Sequence, residues 1–226
     1  MEKTTYLENE MLTIGPRAIL RSVYFVGKRF LDIFCGFFGV IVLIPLSATV
    51  KIASVINKDN NPIFFTQDRI GKNGNTFKLY KFRSMMVGAD EELKRLLKED
   101  KKLREEYRIN KKLKNDPRVT KVGAILRKTS LDEWPQFINI LKGDMSIIGN
   151  RPYLPREKED MGSFYNLIIK TKPGLTGLWQ TSGRSDTTFQ KRLELESWYS
   201  MHCSPKLDIK IFFKTFKTVL CRKGAK

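Results

Sequence analysis

The sequence predicts an α+β fold, mostly helical, in a single globular domain with a small β-hairpin, an N-terminal re-entrant membrane helix and interfacial amphipathic helices. Three observations carry this. Ile33 to Val50 holds no charged residue. Two β-rich runs flank the turn signal Gly71-Lys72-Asn73-Gly74-Asn75. Long stretches later in the chain repeat charge and apolar residues at helical spacing. A chain of 226 residues suits one well-buried domain. The expected layout is a loosely ordered 1–16, an amphipathic lead-in and membrane helix over 17–57, and a cytoplasmic catalytic domain over 58–226.

The apolar segment comes first. Its eighteen residues rise about 27 Å as a helix, marginal for a bilayer core of about 30 Å. It starts late and lacks a small-residue cleavage site, so it is not a signal peptide. Arg17, Arg21, Lys28 and Arg29 precede it, and Lys51, Lys58, Arg69 and Lys72 follow it. The positive-inside rule therefore asks for both flanks on the cytoplasmic side. A re-entrant helix broken at Pro45 meets that demand. A single span and a soluble core helix stay open as alternatives.

Ile63 to Gln67 and Thr76 to Tyr80 read as the strands of a hairpin spanning 61–82. Its Gly-Lys turn lacks the spacing of a phosphate loop and reads as a plain turn. Ala89 to Arg118 holds 11 basic and 8 acidic residues, which reads as one solvated, salt-bridge-laced helix. Short helices are expected over 122–128 and 131–142, and a strand over 146–148. A loop is expected over 172–177 and a helix over about 187–200. In Lys206 to Leu220, Lys206, Lys210, Lys214 and Lys217 share one face, while Ile209, Phe212, Phe213, Phe216 and Leu220 share another. That pattern fits an interfacial helix as well as one packed on its own domain.

Composition narrows the function. The net charge is +18, of which the 89–118 stretch supplies only +3. The remaining +15 favours polyanionic partners, either nucleic acid or an anionic membrane. Cys35, Cys203 and Cys221 are far apart and read as free thiols in a reducing compartment. His202 is the only histidine, which excludes His-based triads and multi-histidine metal sites.

Asp132-Glu133 is the feature with chemistry in it. It follows Arg127-Lys128-Thr129-Ser130-Leu131 and precedes Trp134-Pro135-Gln136. Ser130 and Glu133 have capping-box spacing, or Asp132 is itself the N-cap with Pro135 in the first turn. Either way both acids fall in a first helical turn, where the dipole favours anions and where a phosphate would dock. Neighbouring helical residues point about 100° apart, so the two carboxylates suit separate tasks. One could attack phosphorus and the other hold Mg²⁺. Arg127 and Arg151 could neutralise developing charge. A plain helix cap is the alternative.

Taken together these residues resemble the bacterial sugar transferase family, the monotopic polyprenyl-phosphate phosphoglycosyl transferases, in a minimal catalytic form. The resemblance runs from about Val26 onward. It rests on Lys28-Arg29 with Asp32, the apolar segment with Pro45, and Phe65-Thr66-Gln67-Asp68-Arg69-Ile70-Gly71. It continues through Phe77 to Met85, Ser130-Leu131-Asp132-Glu133, Leu141-Lys142-Gly143-Asp144-Met145-Ser146, Pro173-Gly174-Leu175-Thr176-Gly177 and Leu207-Asp208-Ile209-Lys210.

The resemblance implies that Asp132 attacks the β-phosphate of a UDP-sugar and releases UMP. A polyprenyl (undecaprenyl) phosphate then takes the sugar phosphate from the aspartate, starting a lipid-linked glycan. It implies Mg²⁺ on Glu133, and Arg127, Arg151 and Asp208 around the substrate phosphates. Lys28, Arg29, Asp32 and Pro45 belong to the membrane anchor, on the cytoplasmic face of a bacterial inner membrane. Two departures stand out: Asn150 where the family usually has proline, and Ile44 where it often has serine.

The expected partners are a UDP-sugar, polyprenyl phosphate and anionic lipids, with a homo-oligomer left open. Two rival readings compete. A glycosyltransferase moving only the sugar would release UDP, but the chain has no DxD motif. A membrane-attached nucleic-acid binder would use the aromatic and basic residues of Phe77 to Arg83, but no recognised module is present, and no nucleic acid is expected.

Overall fold

A computed structural model describes residues 16–110, 113–182 and 187–220. The expected loose N-terminus and Cys221 lie outside them; Cys35 and Cys203 are free thiols.

Helix α1, Pro16–Ile56, is 41 residues long, or about 62 Å at 1.5 Å per residue. It is apolar enough to cross a membrane, with a mean hydropathy of 2.4 in its best window. The break expected at Pro45 is not an interruption here, because the helix continues through it. Leu43 and Val50 enter the same buried cluster as Phe82 and Leu126, so packing on both sides of the proline outweighs the single lost amide bond.

One face of α1 lies on the rest of the protein. Asp32, Gly36, Gly39, Leu43, Val50 and Ser54 are buried at helical spacing. The opposite face exposes Phe30, Phe34, Phe37, Phe38, Ile41 and Ile44. No gap between these buried positions exceeds seven residues, about 10 Å, whereas a bilayer crossing takes about 20 residues.

Strands β1 (Phe64–Ile70) and β2 (Thr76–Phe82) form the expected hairpin, pairing from Phe64 with Phe82 to Ile70 with Thr76. The strands run longer than the residue pattern indicated because Arg69, despite its charge, is buried in β1. Asn73 and Gly74 take φ of 59° and 81° in the turn.

The single charged helix expected after the hairpin is two helices, α2 (Ala89–Glu99) and α3 (Lys101–Asn110). Asp100 separates them: its backbone is extended and its Oδ1 accepts from the amides of Lys102 and Leu103. A side chain that caps the next helix ends the previous one. The expected surface ion pairs form at Glu92–Arg95 and Glu105–Arg108.

Helix α4 (Lys121–Thr129) is capped by Thr120, whose Oγ1 accepts from the Gly123 amide. The helix expected over 131–142 is divided. Leu131–Glu133 is a 3-10 turn, and α5 begins after Pro135, covering Gln136–Lys142. Ser130 sits in the left-handed region at φ 60° and makes no capping bond, so the capping-box reading fails. Pro135 takes the N-cap position of α5, where its missing amide is harmless.

Strand β3 (Ser146–Ile148) appears where expected. Its parallel partner β4 (Gly174–Thr176) lies in the segment expected to be a loop. Two residues between two glycines, Leu175 and Thr176, give too little side-chain pattern to reveal a strand. Asn150, at the position of the family proline, donates to Ile168 O, Thr171 Oγ1 and Ser200 Oγ. A proline here could make none of these bonds.

Helices α6 (Phe189–His202) and α7 (Pro205–Leu220) close the fold. His202 is exposed, as expected. On α7 the packed face is Asp208 and Ile211, while Ile209, Phe212, Phe213 and Phe216 are exposed. The aromatic face therefore is not covered by its own domain.

Candidate active site

The Asp132-Glu133 turn is held from both sides. Leu131 and Trp134, its neighbours in sequence, pack into the cluster containing Leu43 and Val50 of α1. The Trp134 Nε1–H donates to Gly39 O at 2.8 Å. A side chain at Gly39 would collide with the Phe137 ring, so glycine lets α1 and α5 come this close. The carboxylates are thus fixed against the apolar helix.

Their electrostatics differ. Glu133 Oε1 accepts from Lys81 Nζ of β2 at 2.8 Å. The half-buried Asp132 carboxylate takes a hydrogen bond from its own backbone amide. Burial pushes its pKa up to about 6; Lys81 and Arg127 oppose the rise and Glu133 adds to it. Arg127, on the last turn of α4, donates its Nε–H to Ser84 Oγ at 2.9 Å.

Beside the pair lies a row of arginines. Arg69 of β1 feels both Glu133 and Arg151, and its pKa is lowered to about 10, chiefly by burial. Arg151 lies 5.5 Å from the centre of the Trp179 ring and Arg192 of α6 lies 4.2 Å from it. Glu196, one turn beyond Arg192, accepts the Arg151 amide at 2.7 Å. Burial lifts Glu196 to about 8 despite that bond and the two guanidinium groups.

Six buried polar atoms lack partners among the described residues: Nε of Arg69, Arg151 and Arg192, Tyr153 Oη, Gln180 Oε1 and Glu196 Oε1. Buried donors are normally satisfied, so three unpaired guanidinium N–H groups in one place suit an oxyanion ligand.

The structure brings together Asp132, Glu133 and Arg127, and Arg69 links them to Arg151. It puts Asp208 elsewhere: the carboxylate accepts from Tyr24 Oη at 2.8 Å and Tyr199 Oη at 2.7 Å and pairs with Lys28. The anchor residues also end on protein. Arg29 donates to Ile140 O and Leu141 O, the last carbonyls of α5. Asp32 accepts from Ser146 Oγ and the Ile147 amide. Sequence reasoning missed Lys81, Arg69, Arg192 and Glu196. Arg69 carried a signal, a charged residue inside a β-rich run; Arg192 and Glu196 looked like ordinary surface positions of a helix.

Known proteins share this chain's pattern. Residues 21–222 match the family described as bacterial sugar transferase. The undecaprenyl-phosphate galactose phosphotransferase of Salmonella typhimurium is 43% identical over 95% of this chain and 44% of its own length. The exopolysaccharide production protein ExoY of Sinorhizobium fredii is 41% identical over 91% of both chains. The UDP-glucose:undecaprenyl-phosphate glucose-1-phosphate transferase of Klebsiella pneumoniae is 37% identical over 91% of this chain and 43% of its own. This chain thus spans less than half the length of two of these relatives and most of the third.

Proposed function

The chain belongs to the bacterial sugar transferase family, and from that premise we propose that it moves a sugar-1-phosphate from a UDP-sugar to undecaprenyl phosphate. The reading puts this step at the start of lipid-linked glycan assembly. The observation that carries it is the juxtaposition of a half-buried carboxylate held at a pKa of about 6, Asp132, with three arginines whose Nε–H groups lack acceptors among the described residues.

Asp132 is the nucleophile. Its oxygen bonds to the β-phosphorus, and the bond from that phosphorus to the oxygen bridging the α-phosphate breaks, releasing UMP. An oxygen of the lipid phosphate then bonds to the same phosphorus and the aspartyl bond breaks, restoring the carboxylate. With a pKa of about 6 the free group is about ten-to-one ionised at pH 7, so it is ready to attack. Arg69, Arg151 and Arg192 hold the diphosphate oxygens as charge shifts from one bridge to the other.

Glu133 fits as a ligand for Mg²⁺. The ion takes few protein ligands and favours carboxylates together with phosphate oxygens. Asp132 and Glu133 are adjacent, and Lys81 Nζ donates to Glu133 Oε1. Bound there, Mg²⁺ would supply positive charge to the diphosphate. Asp208 acts as a clamp, joining α1 to α6 and α7 through Lys28, Tyr24 and Tyr199.

The packing supports reading the protein as monotopic, seated on the cytoplasmic face of the inner membrane. Buried positions along α1 from Asp32 to Ser54 leave no stretch long enough to cross, while the outer faces of α1 and α7 are rich in phenylalanine. Incubating membranes containing the protein with a panel of UDP-sugars and undecaprenyl phosphate tests the reading. Repeated turnover to UMP, beyond one equivalent per enzyme, that depends on both substrates supports it. UDP as the product sinks it in favour of simple sugar transfer.

A further inference from the structure

A second cationic site lies away from the acid pair. A cavity of about 120 Å³ opens between the first half of α1, the hairpin turn and the segment before β4, and Lys28, Arg29, Lys72, Lys170 and Lys172 line it. Asp32 is the only acid in its wall, and that carboxylate is already bonded to Ser146 and Ile147. Lys28 is held by Asp208 and Arg29 by the end of α5. The ammonium groups of Lys72, Lys170 and Lys172 have no ion pair among the described residues.

These cations are crowded. The space beside the Gly143 Cα is flanked by Arg29 Nη2 at 3.3 Å and Lys172 Nζ at 3.6 Å from where a β-carbon would stand. Burial holds the Lys172 ammonium below its ordinary pKa; Arg29 and Lys72 add to that, and Asp32 and Asp144 oppose it. Five cations gathered around a cavity outnumber the one acid in its wall, and the repulsion between them is relieved by an entering anion.

The cavity is separate from the Asp132 turn. Glu133 precedes α5 and Gly143 follows it, and the seven residues of that helix alone rise about 10 Å. Along the hairpin, Lys81 touches Glu133 while Lys72 lines the cavity, and Thr76 to Lys81 alone spans about 17 Å. The cavity sits at the membrane helix: Phe25 of α1, exposed on its outer side, forms part of the rim.

We propose that this cavity binds a phosphate group, held by Lys72, Lys170 and Lys172 with Arg29 behind them, at a site distinct from the Asp132-Glu133 turn. A phospholipid headgroup, an isoprenoid phosphate and free phosphate share the required chemistry. The site goes beyond the transfer reaction and does not depend on it.

The test uses the full chain in an uncharged detergent, with thermal unfolding followed against four probes: inorganic phosphate, dihexanoyl phosphatidylglycerol, a short isoprenyl phosphate and dihexanoyl glycerol. The Asp132→Asn parent is compared with the triple variant Lys72→Gln, Lys170→Gln, Lys172→Gln and with its Lys→Arg counterpart, each made in that parent so that no turnover intervenes. The expected result is a stabilisation by at least one phosphate-bearing probe whose midpoint shifts at least tenfold higher in the Gln triple. The Arg triple should bind like the parent, and dihexanoyl glycerol should have no such difference. A difference confined to phosphatidylglycerol assigns a headgroup, one confined to the isoprenyl phosphate assigns the isoprenoid, and one produced equally by inorganic phosphate assigns the free anion. Equal midpoints in parent and Gln triple for every probe would overturn the site. Because Asp132 is absent throughout, failure of the transfer reading leaves this result unaffected.

Discussion

The seam that joins α1 to the rest of the protein and the turn carrying Asp132 use similar residues to opposite ends. At the seam, Lys28, Arg29, Asp32 and Asp208 each have partners within the protein. In the arginine row beside the turn, the Nε groups of Arg69, Arg151 and Arg192 have none among the described residues, and burial holds the Asp132 carboxylate above its ordinary pKa. Satisfied charges hold a helix in place, whereas unsatisfied ones are poised for a ligand. Substitutions should therefore separate the two regions, one through stability and the other through turnover.

The largest effect is expected at Asp132. Asp132→Asn should lower transfer at least about 10³-fold, as loss of a nucleophile does, without loosening the fold. Folded Asp132 keeps its proton up to about pH 6, whereas an unfolded aspartate loses it near pH 4. Ionising it costs stability as pH rises through that window, and the cost is complete above it. The variant should thus melt higher than wild type at pH 7.5, by a difference of up to about 3 kcal/mol that fades towards pH 4. Wild-type kcat/KM should fall tenfold per unit below about pH 6; a limb near pH 4 would remove the proposed burial effect.

Asp208→Asn is the matching probe of the seam. It leaves Lys28 without its counter-charge and should cost about 3 kcal/mol in chemical denaturation, while kcat per folded molecule stays within a few-fold. A collapse of kcat with unchanged stability would instead return Asp208 to the substrate site. Next comes Arg192→Gln, expected to lower kcat/KM about 100-fold, with the deficit smaller in Arg192→Lys. The smallest change is Trp134→Phe, which removes the bond to Gly39 O and should cost about 1 kcal/mol by denaturant titration. A much larger loss would mean that the α1–α5 contact depends on that indole nitrogen more than on packing.

Much of this was legible in the residues. Apolar run, turn chemistry and helical charge spacing are local signals, so α1, the hairpin and α7 follow from them, as does the adjacent acid pair. The division of the 131–142 segment was harder to see. Ser130 and Glu133 match a capping box in spacing, but Ser130 adopts a left-handed backbone to end α4, which spacing does not reveal. The strand at Gly174–Thr176 exists only through pairing with β3. The arginine row is a product of folding: Arg69, Arg151 and Arg192 come from a strand, a loop and a helix. Pro45 was a fair local sign of a break, and packing of Leu43 and Val50 overrode it.

The most direct test of the covalent route is intact-protein mass spectrometry. The purified protein is mixed with a UDP-sugar that supports transfer, with Mg²⁺ and without any lipid acceptor. The account predicts that wild type gains the mass of one sugar phosphate as UMP appears in equal amount, that peptide mapping finds it on Asp132, and that Asp132→Asn gains nothing. A wild-type protein that turns over with acceptor present, yet never carries the adduct under rapid quench, would contradict it.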